Sequence, residues 1–187
     1  MNLILIGPPG AGKGTQSRYL VKKLNNFQIS TGDMLREEIQ NNTEIGKKIL
    51  NDMNDGKFVS DQIVNTLIEN VLLDPKKRGR LIFDGYPRSL TQAENLEQLL
   101  KKTNQTIDFI FFLNVNKEII IERIKQRKII EKRADDDLET IIKRYDTYMD
   151  TTKPVLNFYS KNSNFYEIDG GCKIEEITAK IDNFLNV

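Results

Sequence analysis

Glycine, lysine and threonine stand near the start of the chain in an order suited to holding phosphate: Gly7-Pro8-Pro9-Gly10-Ala11-Gly12-Lys13-Gly14-Thr15. Glycines let the backbone turn tightly around an anion and aim its N–H groups inward. A helix beginning at Lys13 adds its own free N–H groups and the positive end of its dipole. Lys13 supplies a full charge that can reach the outer phosphates of a nucleotide. The strict pattern has Ser or Thr directly after the lysine, whereas Gly14 stands there and the hydroxyl follows at Thr15. The loop predicts that the protein binds a nucleoside triphosphate.

Such a loop is one half of a phosphoryl-transfer site. The other half is a set of cations that neutralise the transferring group, and arginine suits it because its planar fork grips phosphate oxygens bidentately. Of the nine arginines, Arg88 follows Asp84-Gly85-Tyr86-Pro87, Arg123 and Arg127 share one helical face, Arg133 precedes an aspartate run, and Arg144 lies on the helix beyond. Lys125, Lys128 and Lys132 read as a solvated face, and for the arginines spacing alone leaves a solvated basic face and a grip on phosphate equally open. Asp84 ends an apolar run, a costly place for a carboxylate without a task. It is expected to hold Mg²⁺ through water, with a helix cap or structural ion pair as the plainer reading. Asp33 reads equally well as a cap. The chain has no histidine and one cysteine, Cys172. That rules out a Cys/His zinc site within the chain, an internal disulfide, and imidazole acid–base catalysis. Phosphoryl transfer needs none of these, since it rests on positioning, metal and cations.

These groups need a scaffold. Apolar runs at Asn2–Ile6, Phe27–Ser30, Arg80–Gly85, Ile107–Val115 and Phe165–Gly170 alternate with helical stretches, the first of them from Lys13 to Leu24. The alternation predicts an α/β protein with a five-stranded parallel sheet and helices on both faces. Ligands of such sheets gather at the carboxyl ends of the strands. Gly7, Thr31, Asp84-Gly85 and Asp169-Gly170 all fall there. The stretch Thr31–Gly79 has helical periodicity throughout and predicts a small helical subdomain. Ala134-Asp135-Asp136-Asp137 reads as a helix N-cap region, with the helix running through Arg144 towards Met149. The 187 residues suit one domain, and 39% hydrophobic with 29% charged residues suits a globular chain. A net charge of +1 provides no global attraction to nucleic acid or anionic membrane. No run approaches a membrane span and nothing resembles a signal peptide, so a cytoplasmic location is expected; the protein is separately expected to act as a monomer.

Five motifs in order resemble the adenylate kinases, members of the P-loop NTPase fold. They are the loop Gly7–Gln16 with its displaced threonine, Ser30-Thr31-Gly32-Asp33-Met34-Leu35-Arg36, and Asp55-Gly56-Lys57-Phe58-Val59-Ser60-Asp61. The fourth is Phe83-Asp84-Gly85-Tyr86-Pro87-Arg88-Ser89-Leu90-Thr91-Gln92-Ala93-Glu94, and the fifth is Arg133-Ala134-Asp135-Asp136 with Arg144. The resemblance implies a reversible, Mg²⁺-dependent transfer of the ATP γ-phosphoryl group to AMP, giving two ADP. It implies a core of residues 1–29, 61–126 and 138–187, a monophosphate-binding subdomain 30–60 and a lid 127–137. Gly10, Ala11, Gly12, Lys13, Gly14 and Thr15 would cradle ATP phosphates. Arg123 would pack on the ATP adenine, Arg127 would contact the ATP phosphates, and the backbone near Cys172 would touch the base. Thr31, Lys57, Phe58, Val59, Gly85, Tyr86, Pro87, Arg88 and Gln92 would line the AMP pocket. Arg36, Arg88, Arg133 and Arg144 would grip the AMP phosphate and the transferring group. Catalysis would rest on Lys13, Arg88, Arg127, Arg133 and Arg144.

Only five residues separate Arg127 from Arg133, so the chain resembles the short-lid type, and it lacks the cysteines of zinc-bearing lids. Cys172 stands where some long-lid members have lysine. Two other readings remain open at this stage. A UMP/CMP kinase shares the short lid and the arginines. A P-loop switch would bind nucleotide without a small acceptor, although no Asn-Lys-x-Asp guanine-reading motif is present. No exposed apolar or repeat signal speaks for an assembly or chaperone partner.

Overall fold

The computed structural model describes residues 1–55, 57–131 and 137–186. Five strands, β1 (Leu3–Ile6), β2 (Phe27–Ser30), β3 (Leu81–Asp84), β4 (Phe109–Asn114) and β5 (Phe165–Asp169), form one sheet in the order β2-β3-β1-β4-β5. All pairings are parallel, with Leu5 beside Asp84 on one side and beside Phe111 on the other. Burial follows the order. Central β1 is buried at every residue, while edge strands β2 and β5 each bury only one.

Successive strand side chains point to opposite faces, and the core divides accordingly. Ile4, Ile6, Phe83, Ile110 and Phe112 pack beneath α4 (Asp61–Leu72), α5 (Leu90–Lys102) and α8 (Lys153–Tyr159). The same cluster reaches α2 (Thr31–Gln40) and α3 (Glu44–Asn54) through Leu35 and Ile49. Leu3, Leu5, Ile82, Phe111 and Leu113 face α1 (Lys13–Leu24), α6 (Lys117–Glu131), α7 (Leu138–Thr147) and α9 (Ile174–Leu185). Full burial of one such aliphatic or aromatic side chain contributes about 1.5–3 kcal/mol, so both layers hold the sheet rigid under the site. Asn2 is buried at the mouth of β1, where its amide donates to the Thr106 carbonyl at 2.9 Å and its oxygen accepts from the Leu81 N–H at 3.1 Å. These bonds tie together the starts of the three central strands.

The strand and first-helix expectations agree with these elements to within about two residues, the usual uncertainty of boundaries. The region 31–79 resolves into α2, α3 and α4. Of the aspartate run, Asp137 caps α7 by accepting from the Thr140 N–H at 3.0 Å. Asp135 and Asp136 lie outside the described residues, and so does Arg133. One feature goes beyond the sequence expectation. The helix through Arg144 ends at Thr147, within two residues of the expected Met149, and a π-helical turn, Tyr148–Thr152, then joins α7 to α8. Extra residues in such turns re-aim side chains and are frequent at functional sites. Here the turn buries Tyr148 and Thr152.

Candidate active site

The loop after β1 wraps into α1 through Gly12, whose φ of 93° lies in the left-handed region that glycine adopts without strain. No side chain caps α1 and no acid stands in its first turn. The N–H groups of Lys13 and Gly14, which make no bond within the loop, are therefore left for an anion, with the helix dipole behind them. Ala11 N–H donates to the Pro8 carbonyl and Thr15 N–H to the Gly12 carbonyl, at 3.2 and 3.0 Å. Lys13 folds back over the loop, its Nζ donating to the carbonyls of Gly7 and Pro8 at 2.8 and 3.0 Å.

Lys13 also senses the rest of the site. Burial lowers its pKa to about 8 from an ordinary 10.5; Asp84 opposes the shift, and the positive charges of Arg88, Arg144 and Arg127 add to it. A lysine that is costly to keep charged among arginines marks a place built to receive a polyanion.

A cleft of about 470 Å³ opens over the carboxyl ends of the strands, at the switch point where the chain departs to either side of β1. It brings together Gly10, Ala11, Gly12, Lys13, Gly14 and Thr15 with Arg36, Asp84, Gly85, Arg88, Arg123, Arg127, Arg144 and Cys172. An adjoining cavity of about 50 Å³ is lined by Thr31, Arg36, Lys57, Phe58, Val59, Arg88, Gln92 and Arg144. Arg36, Arg88 and Arg144 line both spaces. They form the boundary between the two spaces.

Arg88 is fixed along its whole length. Its main-chain N–H donates to Gln92 Oε1 at 2.7 Å, its carbonyl accepts from Thr152 Oγ1 at 2.9 Å, and its Nε donates to the Gly85 carbonyl at 2.6 Å. Its guanidinium stacks 5.2 Å from the centre of the Phe58 ring. Gly85 has φ 76°, and a Cβ there would come within 2.8 Å of the Arg88 guanidinium, so glycine is what permits this approach. The Gly85 carbonyl also accepts from Thr31 Oγ1 at 2.8 Å. Arg123 is held by the carbonyls of Gly170 and Cys172 at 2.7 and 3.2 Å, which orients its guanidinium plane beside the cleft. The Cys172 thiol donates to Asp169 Oδ2 at 3.5 Å.

Other residues fall differently. Tyr86 lines none of the three cavities described: its ring is buried in the core and its hydroxyl bonds to Asn65 and the Gln92 carbonyl at 2.9 and 3.2 Å. Pro87 lines a third space, of about 60 Å³, with Lys13, Arg88 and Arg144. Lys57 lines the cavity of about 50 Å³, but its ammonium pairs with Asp55 at 2.9 Å in solvent. Asp33 pairs with Arg36, and the cap of α2 is Ser30, which accepts from the Asp33 N–H at 3.2 Å.

Three contributors were not anticipated from sequence. Gln28 donates to Asp84 Oδ2 at 2.9 Å, and a polar residue inside a short strand was the available signal. Asp61 binds Gln92 and Ser89 at 2.6 and 2.8 Å, but in sequence it reads as an ordinary acid at a helix start. Thr152 depends on the π-helical turn, which leaves no periodic trace.

Asp84 lies beside the loop, its Oδ2 3.4 Å from where a Gly14 Cβ would stand. One carboxylate facing a triphosphate-sized cleft fits Mg²⁺, which keeps several waters and takes the rest of its shell from phosphates. Among the described residues no group of three or more His, Cys, Asp and Glu could hold a metal on its own. None of the described helices is long and apolar enough to cross a membrane.

The sequence matches the family model of adenylate kinase over residues 5–164. The chain belongs to the adenylate kinase family. A Pelagibacter ubique protein named adenylate kinase is 51% identical over 213 aligned positions covering the whole of both chains. Relatives of the same name are 40% identical in Mycoplasma mycoides, covering 96% of this chain and 94% of theirs, and 42% identical in Caulobacter vibrioides, covering 99% and 97%. As the family implies, the protein is a phosphotransferase with a P-loop NTPase fold.

Proposed function

We propose that this enzyme transfers the γ-phosphoryl group of Mg²⁺-ATP to AMP, reversibly, in line between the two cavities that share Arg36, Arg88 and Arg144. The observation that carries the reading is that sharing: the same three arginines face the phosphate loop on one side and the Thr31–Gln92 cavity on the other. A nucleotide switch needs one phosphate site, whereas a kinase of small phosphates needs cations between two.

In this reading the loop of residues 10–15, through the N–H groups not bonded within it and through Lys13, holds the ATP phosphates, Arg123 packs on the adenine, and Arg127 reaches the phosphate chain. The backbone at Cys172 borders the base. Thr31, Lys57 to Val59, Gly85 to Arg88 and Gln92 surround AMP. Arg36, Arg88, Arg144 and Arg133 bind the acceptor phosphate and the charge spreading over the transferring group. Mg²⁺, held by Asp84 through water, would supply charge neutralisation on the phosphates. No side chain serves as general base, since the acceptor phosphate is itself the nucleophile. The subdomain 30–60 and the lid 127–137 close over the nucleotides and exclude water. The short lid is supported by a Caulobacter sp. relative that aligns over 187 positions, covering 100% of this chain and 99% of its own. The lone cysteine, which leaves no internal disulfide, supports a cytoplasmic location.

The test is a coupled assay of ATP with AMP, CMP, UMP and GMP. AMP is expected to exceed CMP and UMP by at least about 10²-fold in kcat/KM, because a pocket of buried polar groups rejects partners that leave them unpaired. Gln92→Leu is expected to raise KM for AMP and leave KM for ATP within about twofold. Equal use of CMP or UMP overturns the acceptor assignment.

A further inference from the structure

Asp61 opens α4, and its carboxylate spans to the first turn of α5. Oδ1 accepts from Gln92 Nε2 at 2.6 Å and Oδ2 accepts from Ser89 Oγ at 2.8 Å. Ser89 Oγ accepts in turn from the Gln92 main-chain N–H at 3.1 Å, and Gln92 Oε1 accepts from the Arg88 main-chain N–H at 2.7 Å. Every bond has a forced direction. A carboxylate only accepts and a main-chain N–H only donates. The Gln92 carboxamide must therefore turn its NH₂ to Asp61 and its oxygen to Arg88. Gln92 is 2% exposed, so a reversed amide would set donor against donor and acceptor against acceptor with little water to relieve them.

We propose that Asp61 is a positioning residue for acceptor recognition, locking the Gln92 carboxamide in the one orientation that reads adenine. The network leaves Gln92 one further N–H and one further oxygen lone pair, and Gln92 lines the acceptor cavity. A donor beside an acceptor complements adenine, where N1 accepts and the 6-amino group donates. Inosine monophosphate has almost the same shape with the pattern inverted, N1–H donating and O6 accepting. It matches only the reversed carboxamide. The same network joins base reading to the backbone of Arg88, so base and phosphate contacts are set together. The inference rests on the AMP reading above.

The experiment measures kcat and KM for AMP, inosine monophosphate and ATP in wild type, Asp61→Ala and Asp61→Asn, each also in a Gln92→Leu background. Asp61→Ala is expected to raise KM for AMP about tenfold or more, the scale of losing a hydrogen bond to a charged group. The AMP-to-inosine-monophosphate ratio of kcat/KM falls by a similar factor, while KM for ATP stays within about twofold. Asp61→Asn keeps an acceptor oxygen but can also present NH₂ to Gln92, so it lowers the ratio by a smaller factor; it decides the matter where the alanine variant does not fold. In the Gln92→Leu background the Asp61 changes add nothing further to KM for AMP. An Asp61 effect that persists undiminished without Gln92, that falls equally on ATP, or that leaves the ratio unchanged overturns the proposal and leaves a helix-terminal role. Wild type preferring CMP or UMP, or Gln92→Leu with unaltered KM for AMP, overturns the acceptor reading first, before any Asp61 variant is measured.

Discussion

On the side of the cleft next to α1, the proposed phosphate-binding groups are mostly main-chain N–H groups from a few consecutive residues, with Lys13 and Arg127 adding side-chain charge. On the side next to α5, side chains from distant elements meet. Thr31 reaches Gly85, Gln92 reaches Asp61 and Thr152 reaches Arg88 across 54, 31 and 64 residues of chain. The first half is a local fold of the backbone, set by glycines and a helix end. The second exists only if α2, α4, α5 and the π-helical turn lie in register. A triphosphate offers the same oxygens whatever its base, so backbone N–H groups suffice for it. Discrimination of an acceptor needs directional side chains held from behind. The local half should therefore fail through loss of charge, and the assembled half through loss of geometry.

The largest expected effect tests the local half. Lys13→Ala removes the only side-chain cation within the loop itself, and a preorganised donor at a developing charge is worth about 10² to 10³ in rate. The fold should persist, since burial already disfavours the charged lysine. Steady-state kinetics beside circular dichroism checks both points; unimpaired turnover would refute the assignment.

Arg88→Lys tests the assembled half by changing geometry and keeping charge. Lysine cannot reproduce the fork or the stack on Phe58. A fall in kcat/KM for AMP of about tenfold or more is expected, the scale of one charge-assisted hydrogen bond. KM for ATP should change far less. A profile like wild type would mean that charge alone is read on this side too.

The same contrast explains what the sequence disclosed. Gly10, Gly12, Lys13 and Thr15 are neighbours in the chain, so their spacing alone predicted the loop. Alternating apolar runs predicted the five strands, because residues facing two helical layers leave continuous Ile, Leu and Phe. Arg88 stood out because its place after Asp84-Gly85 at a strand end coincided with the family motif, since spacing alone left a solvated face equally open. Asp61 and Thr152 were not, because their partners are distant in sequence and their own positions resemble an ordinary helix start and helix interior. Tyr86 stands among residues that line the site, yet its ring turns into the core, a direction that a motif does not state.

A pH profile sharpens the comparison. With its pKa near 8, Lys13 loses its proton as pH rises, so kcat/KM for ATP should fall about tenfold per unit above that value. Bound phosphate stabilises the ammonium, so the limb should move to higher pH in kcat. Stability runs the other way. The folded pKa of about 8 lies below the ordinary 10.5, so the unfolded chain binds more protons between them and this lysine's contribution to stability rises over that window. Stopped assays at saturating and limiting ATP, with melting curves over the same range, separate the two. An activity limb absent from kcat/KM would remove Lys13 as its source.

The smallest expected effect concerns the bond that reaches Arg88 from the π-helical turn. Thr152 is 5% exposed, and its hydroxyl donates to the Arg88 carbonyl at 2.9 Å. Thr152→Val keeps the shape and removes the donor, leaving a carbonyl with one partner fewer. A net neutral hydrogen bond is worth about 0.5–1.5 kcal/mol, so kcat/KM for AMP should fall about two- to tenfold. Because the Arg88 side chain keeps its bond to Gly85 and its main-chain N–H keeps Gln92, the arginine should shift rather than detach. The loss should then appear in kcat more than in KM for AMP, as misalignment of the transferring group rather than lost binding. Arg88→Lys combined with Thr152→Val should cost less than the two changes added together, since both act through one guanidinium. Full additivity would show that the π-helical turn supports the site by some route other than Arg88.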